Sequence, residues 1–181
     1  MDLAVLQRTF ITSFDAFELR MLEISDLSSI KGLDPGDLSW CQGEWLFPRG
    51  REAAFIEKWF QERLDGKGFR AGIFKGKVLV GIVGLSMKAP SMHDADMSYA
   101  MDSCYRHQGI MTKACREIIH FGFIRLHLKM IRIMADVDNQ PSCALAERLG
   151  FKKEALISQA YQATESKRDA FLYVLTRAET N

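Results

Sequence analysis

Residues 105 to 118, YRHQGIMTKACREI, place Arg106, Gln108 and Gly109 directly before a run with the apolar spacing of a helix. The first amides of a helix have no intrahelical acceptor, and the helix dipole is positive at that end, so a glycine-containing turn feeding it can wrap phosphate oxygens with backbone N–H groups alone. Arg106 and Gln108 add side-chain donors, and Gly109 lets the backbone approach closely. Taken alone, an R-x-x-G turn before a helix is also what simple capping requires. A second stretch, NQPSCALAERLGF, carries Asn139 at a capping position, Pro141 in a first turn, Ser142 beside it and Gly150 where a helix would end.

These two turns need elements to hold them. In FELRMLE, Phe17, Leu19 and Met21 alternate with charged residues, the period of a half-buried strand. SDLSSI starts like a helix, and residues 32 to 50, dense in Gly and Pro and carrying Trp40, Trp45 and Phe47, read as a long loop. REAAFIEKWFQERLDGKG has helical apolar spacing with Gly66 placed to end it. FRAGIF and VLVGIVGLSM form a hairpin around Gly76, and DADMSYAMD is a strand leading into the R-x-x-G turn. A helix is expected over IMTKACREIIHFGFIRLHL, a strand over MIRIMADV, and two final strands over ALISQAY and DAFLYVLTR. The sum is an α/β domain of about six or seven strands and about four helices.

Composition narrows the function classes. The 181 residues suffice for one domain with a sizeable core, and 24 Lys plus Arg against 23 Asp plus Glu leave no global basic field for a nucleic acid or an anionic membrane. Cys41, Cys104, Cys115 and Cys143 form no C-x-x-C pair and have no His at metal-ligand spacing, so buried free thiols are expected, with neither metal nor disulfide framework. The longest uncharged strand-like run, VLVGIVGLSM, is far short of the ~18 residues of a membrane span, and the start lacks a basic leader region, so a cytoplasmic protein is expected. Neither G-x-x-x-x-G-K-S/T nor a G-x-G-x-x-G before a helix occurs, which sets aside a nucleotide loop at the glycine-rich hairpin.

The succession of strand, R-x-x-G turn, long helix, strand ending near Asn139, and an N-x-x-S helix ending in E-R-L-G-F resembles the GNAT acyltransferase superfamily. YRHQGIMTKA together with DVDNQPSCALAERLGFKKEA is similar to its Rim-type branch, whose namesakes acetylate the N-terminal amines of ribosomal proteins. The resemblance spans residues 17 to 176 and leaves the first 16 outside, within a single N-acetyltransferase domain over 1–181. It implies a mixed sheet whose fourth and fifth strands, DADMSYAMD and MIRIMADV, splay apart to hold acetyl-CoA. The pyrophosphate would rest on the amides of Arg106, His107, Gln108, Gly109, Ile110 and Met111. The pantetheine arm would pair with the backbone of Ala100, Met101 and Asp102 like an added strand, and Asn139 would reach it. Ser142 falls where this branch often places a hydroxyl near the CoA sulfur, and Asp96 where many relatives carry a glutamate that takes the amine proton, usually through water.

The pattern also has departures. His107 stands where relatives commonly have glycine, Met111 where the wider superfamily prefers Gly or Ala, and Ala146 where many members place a tyrosine general acid. Protonation of the leaving thiolate then falls to Ser142 or water, or to Tyr99 or Tyr161 if either is close. Asp94, two positions from Asp96 on one strand face, adds a like charge that favours protonation of one of the two. The expected reaction is direct acetyl transfer to a primary amine, with a peptide N-terminus and a small-molecule amine both open as acceptors. Asp34, Asp37 and Glu44 in the long loop suit a cationic acceptor. A homodimer is compatible with the sequence. The other class is a non-catalytic acyl-CoA sensor, which Ala146 and the Asp at position 96 would suit.

Overall fold

A computed structural model describes residues 11–30, 52–87, 93–162 and 167–177. The loop bearing Trp40, Trp45, Phe47 and the acidic residues Asp34, Asp37 and Glu44, and Cys41 with it, lies outside the described residues. Eight strands form one sheet: β1 (Ile11–Phe14), β2 (Phe17–Met21), β3 (Gly68–Lys75), β4 (Val78–Ser86), β5 (Asp94–Met101), β6 (Met130–Asp136), β7 (Lys152–Gln162) and β8 (Lys167–Thr176), in the order β1-β2-β3-β4-β5-β6-β8-β7. Among the described residues the helices are a single turn, α1 (Leu27–Ile30), and three longer ones, α2 (Glu52–Leu64), α3 (Ile110–Ile124) and α4 (Gln140–Arg148).

The eighth strand is the one that the six-or-seven count omits. Residues 11 to 14 lie before the resemblance begins, yet they pair antiparallel with β2, from Ile11 opposite Arg20 to Phe14 opposite Phe17. The splayed strands are therefore the fifth and sixth in this chain. The hairpin tip also touches the R-x-x-G region: Asp15 accepts from Lys113 Nζ at 2.6 Å, and the Phe17 ring meets the Tyr105 ring edge-on at 6.4 Å.

Every neighbouring pair is antiparallel except β5 with β6, which runs parallel and covers only Asp94 to Asp96 against Met130 to Arg132. Beyond that point β5 stays paired to β4 as far as Met101, and β6 stays paired to β8 as far as Asp136. Each strand keeps its outer partner and loses its inner one. A cleft opens between them.

Helix α3 covers this seam. A Cβ at Gly122 would lie 3.1 to 3.2 Å from Leu85 on β4, Ile131 on β6 and Leu128, so the helix is drawn close to both sides of the split by having no side chain there. Phe121 from the same turn packs edge-on against Phe69 at 5.4 Å. The helix stops at Ile124, short of the expected Leu128, and His127 takes a positive φ of 54°. Leu126 and Leu128 remain fully buried in the turn that follows, which explains why the apolar spacing outran the helix. Helix α2 lays Ile56 and Trp59 on the other end of the sheet, next to buried Arg70, whose guanidinium reaches Ser86 Oγ at 2.8 Å. No helix among the described residues is long and apolar enough to cross a membrane.

Candidate active site

The chain turns from β5 into α3 through a short 3-10 turn, Ser103–Tyr105, whose entry is fixed by the Asp102 carboxylate accepting from Cys104 N at 2.8 Å. Arg106 Nε donates to Met101 O at 3.1 Å, and Gln108 Nε2 donates to Cys104 O at 3.1 Å. Both side chains that the sequence offers as extra donors thus also hold the shape of the turn. Gly109 is the N-cap residue of α3, with φ at 75° and no side-chain cap, and a Cβ built on it meets nothing within 4 Å. The amides of Ile110, Met111 and Thr112 follow with no intrahelical acceptor, in a first turn free of acidic residues. An uncapped, positively polarised helix end facing open space fits a pyrophosphate. His107 has φ at 61°, the left-handed conformation that explains glycine in its relatives and that costs an ordinary residue about 1 kcal/mol or more.

Along β5 the backbone groups alternate between neighbours. Asp102 N donates to Val80 O at 3.0 Å, which makes Asp102 and Val80 a hydrogen-bonded antiparallel pair, continued by Ala100 opposite Ile82. Ala100 and Asp102 therefore turn their main-chain groups to β4, while Met97, Tyr99 and Met101 turn theirs toward the cleft. Of the three residues read as an added-strand edge, Met101 faces the open side, and its carbonyl is the one that Arg106 binds.

Helix α4 begins at the far lip of the cleft, directly after β6. Asn139 Oδ1 accepts from Ser142 N at 3.2 Å, so this side chain caps the helix. Ser142 leaves its own hydroxyl out of the cap. That hydroxyl meets Tyr99 Oη at 2.9 Å, joining β5 to α4 across 43 residues of sequence. Ala146, the position of the tyrosine acid in many relatives, is fully buried in the core. Tyr173 anchors the same helix by donating to Glu147 Oε1 at 3.1 Å, and burial, aided by its Cys143 and Glu147 neighbours, pushes its phenol well above the usual range.

At the apex, where pairing ends, Asp96 and Asp94 flank one cation. Arg132 Nε donates to Asp96 Oδ1 at 2.8 Å, and Arg132 NH2 lies 2.8 Å from Asp94 Oδ2. The sequence signals the two carboxylates but not this cation, whose placement depends on the parallel register of β5 with β6. The like-charge argument for Asp96 accordingly meets a bridging guanidinium.

The cysteines divide. Cys115 and Cys143 are buried, and burial pushes the Cys115 thiol far up, whereas Cys104 is exposed on the 3-10 turn, against the expectation of buried thiols throughout. Among the described residues no group of three or more His, Cys, Asp or Glu could hold a metal ion.

The sequence pattern of the acetyltransferase (GNAT) domain matches residues 17–152. The chain belongs to the GNAT acetyltransferase family. It is similar to YdaF of Bacillus subtilis, provisionally named a ribosomal N-acetyltransferase, with 28% identity over 76% of this chain and 79% of that one. It is also 31% identical to the ribosomal-protein-serine acetyltransferase of Escherichia coli over 56% of each chain. Among solved structures, RimL, the ribosomal L7/L12 acetyltransferase, in complex with coenzyme A shares the fold with a TM-score of 0.82 at 21% identity, covering 92% of this chain and 98% of that one. The chain is thus an acetyl-CoA-dependent N-acetyltransferase with an amine acceptor, similar in sequence to ribosomal-protein acetyltransferases.

Proposed function

We propose that the chain transfers acetyl directly to the N-terminal amine of a protein, with the reaction laid out along β5. One observation carries the layout: the β5–β6 seam is open from Asp96 outward, and the turn that Met101 holds lies at its other end. Five residues of strand, roughly 16 Å, separate the two. Within that span Tyr99 and Ser142 meet. Amides of residues 106 to 111 would hold the pyrophosphate, and cleft-facing main-chain groups of β5 would hold the pantetheine arm and polarise the thioester carbonyl. Asn139 supports that arm while capping α4. Acetyl-CoA supplies an activated acyl group with a good leaving sulfur.

An amine at neutral pH must surrender a proton before it can attack. Asp96 is the carboxylate at the apex, and with Oδ1 bound to Arg132 its Oδ2 is the atom left to take that proton, directly or through water. Ser142, at the third position of α4 and near the positive end of its dipole, donates to the departing sulfur. A protein N-terminus is favoured over a polyamine on two grounds. The relatives named above act on ribosomal proteins by their names. The apex also holds a guanidinium between its carboxylates, which opposes a polycation. The test is an acceptor panel of N-terminal peptides, spermidine and an aminoglycoside, followed by CoA release. Turnover on peptides at least ~10-fold more efficient than on the polycations is expected, and the reverse order would overturn the acceptor assignment.

A further inference from the structure

We propose that Tyr99 is a positioning residue for the leaving group, donating its phenolic proton to Ser142 Oγ so that the serine hydroxyl hydrogen is aimed at the sulfur. The inference rests on the reading of Ser142 just given. Tyr99 Oη lies 2.9 Å from Ser142 Oγ and 3.4 Å from Ser142 O, so the shorter contact is to the hydroxyl. A serine oxygen that accepts one hydrogen bond must turn its single hydrogen elsewhere. Ser142 N is already satisfied by Asn139 Oδ1, and the cap leaves the hydroxyl for the cleft. A phenol is a much stronger acid than an aliphatic alcohol, and its ordinary pKa of about 10 is near that of a thiol, about 8.5, so the pair can pass a proton that serine alone gives up reluctantly.

The structure gives this arrangement a reason. Ala146 is fully buried, so the position used by many relatives for a tyrosine acid faces the core and carries no hydroxyl. Tyr99 brings a phenol to the first turn of the same helix from the opposite wall of the cleft. Its main chain stays on β5, opposite Val83, and the side chain crosses to α4 where β5 and β6 no longer pair. As the C–S bond breaks, its electron pair goes to sulfur. The Ser142 proton moves to that sulfur, the Tyr99 proton moves to Ser142 Oγ, and the phenolate regains a proton from water. The amine has meanwhile given one proton to Asp96 or to solvent, so the balance closes with no other reactant.

Tyr99→Phe keeps the ring and removes only the hydroxyl. We expect kcat to fall ~10-fold with the acetyl-CoA KM within about twofold, less than the ~10²- to 10⁴-fold of general-acid effects because a thiolate, with a thiol pKa of about 8.5, is already a good leaving group. Because the effect runs through Ser142, the double variant Tyr99→Phe/Ser142→Ala should be no slower than Ser142→Ala alone. A readout independent of turnover is the ultraviolet titration of the CoA thiol in its complex, with desulfo-CoA as the blank. The thiol should titrate about one pH unit higher in Tyr99→Phe than in the wild type, because the thiolate loses an oriented donor. A bond that merely closes the cleft would raise KM and lower the melting temperature while leaving the thiol titration unmoved, and that result overturns the proposal. So does additive slowing in the double variant. If Ser142→Ala is itself kinetically silent, the placement of Ser142 fails first, whereas a slow Ser142→Ala beside a wild-type-like Tyr99→Phe sinks the Tyr99 assignment alone.

Discussion

The two ends of the cleft are built in different ways. The end proposed for the phosphates is local: one turn of consecutive residues, Arg106 to Met111, shaped by bonds such as Gln108 to Cys104 O and by two left-handed residues, His107 and Gly109. The transfer end is assembled from distant pieces, with Tyr99 meeting Ser142 across 43 residues and Asp96 meeting Arg132 across 36. On the proposed layout backbone amides hold the phosphates at the first, so most side-chain changes there should be tolerated. Single side-chain atoms would carry the transfer at the second, where deletion of one hydroxyl or one carboxylate oxygen should be felt in rate.

The largest expected effect breaks the local end. Gly109→Asp adds a side chain and a negative charge where phosphate would approach; the space beyond Gly109 is open, and the left-handed φ of 75° costs a side chain there about 1 kcal/mol, so the fold should survive. Calorimetric affinity for CoA should drop ~100-fold or more with the melting temperature within a few degrees. A folded variant with wild-type affinity would remove the cradle from that turn.

Next comes the distant end. Asp96→Asn should lower kcat ~10²-fold with CoA affinity unchanged, because an amide cannot accept the amine proton. The rising limb of the pH–rate profile should flatten or move, and comparing acceptors of different basicity separates the carboxylate from the amine itself. If kcat and the profile stay as in wild type, Asp96 serves Arg132 rather than the amine. Ser142→Ala should follow, with kcat down ~10-fold and KM near normal.

Two smaller effects sharpen the contrast. Asn139→Ala loses the α4 cap and should cost ~1 kcal/mol in denaturant unfolding while raising the acetyl-CoA KM a few-fold. A stability loss with untouched kinetics would limit Asn139 to capping. His107→Gly relieves a left-handed φ and should leave CoA affinity within about twofold while stabilising the fold by at most ~1 kcal/mol. A large affinity loss there would show that the imidazole binds phosphate and that the turn is not a backbone site.

Much of this was legible in the chain because it depends on neighbours in sequence. The R-x-x-G turn, the Asn139 cap, the Gly66, Gly76 and Gly150 turns, and the alternation in β2, β5 and β6 are each fixed by a few consecutive residues, whose spacing directly reports backbone geometry. Local pattern erred where burial continued past an element, as with Leu126 and Leu128 beyond α3, and where a strand needed its partner to be recognised, as with β1 against β2. Only the tertiary structure decided how β5 sits between β4 and β6. Its register on β4 set which backbone groups of β5 face the cleft, while its register on β6 put Arg132 between Asp94 and Asp96 and brought the Tyr99 hydroxyl to Ser142. The physical reason is that a parallel crossover through α3 joins strands whose pairing has no local signature. A shift of one residue would have turned Arg132 to the other face of the sheet.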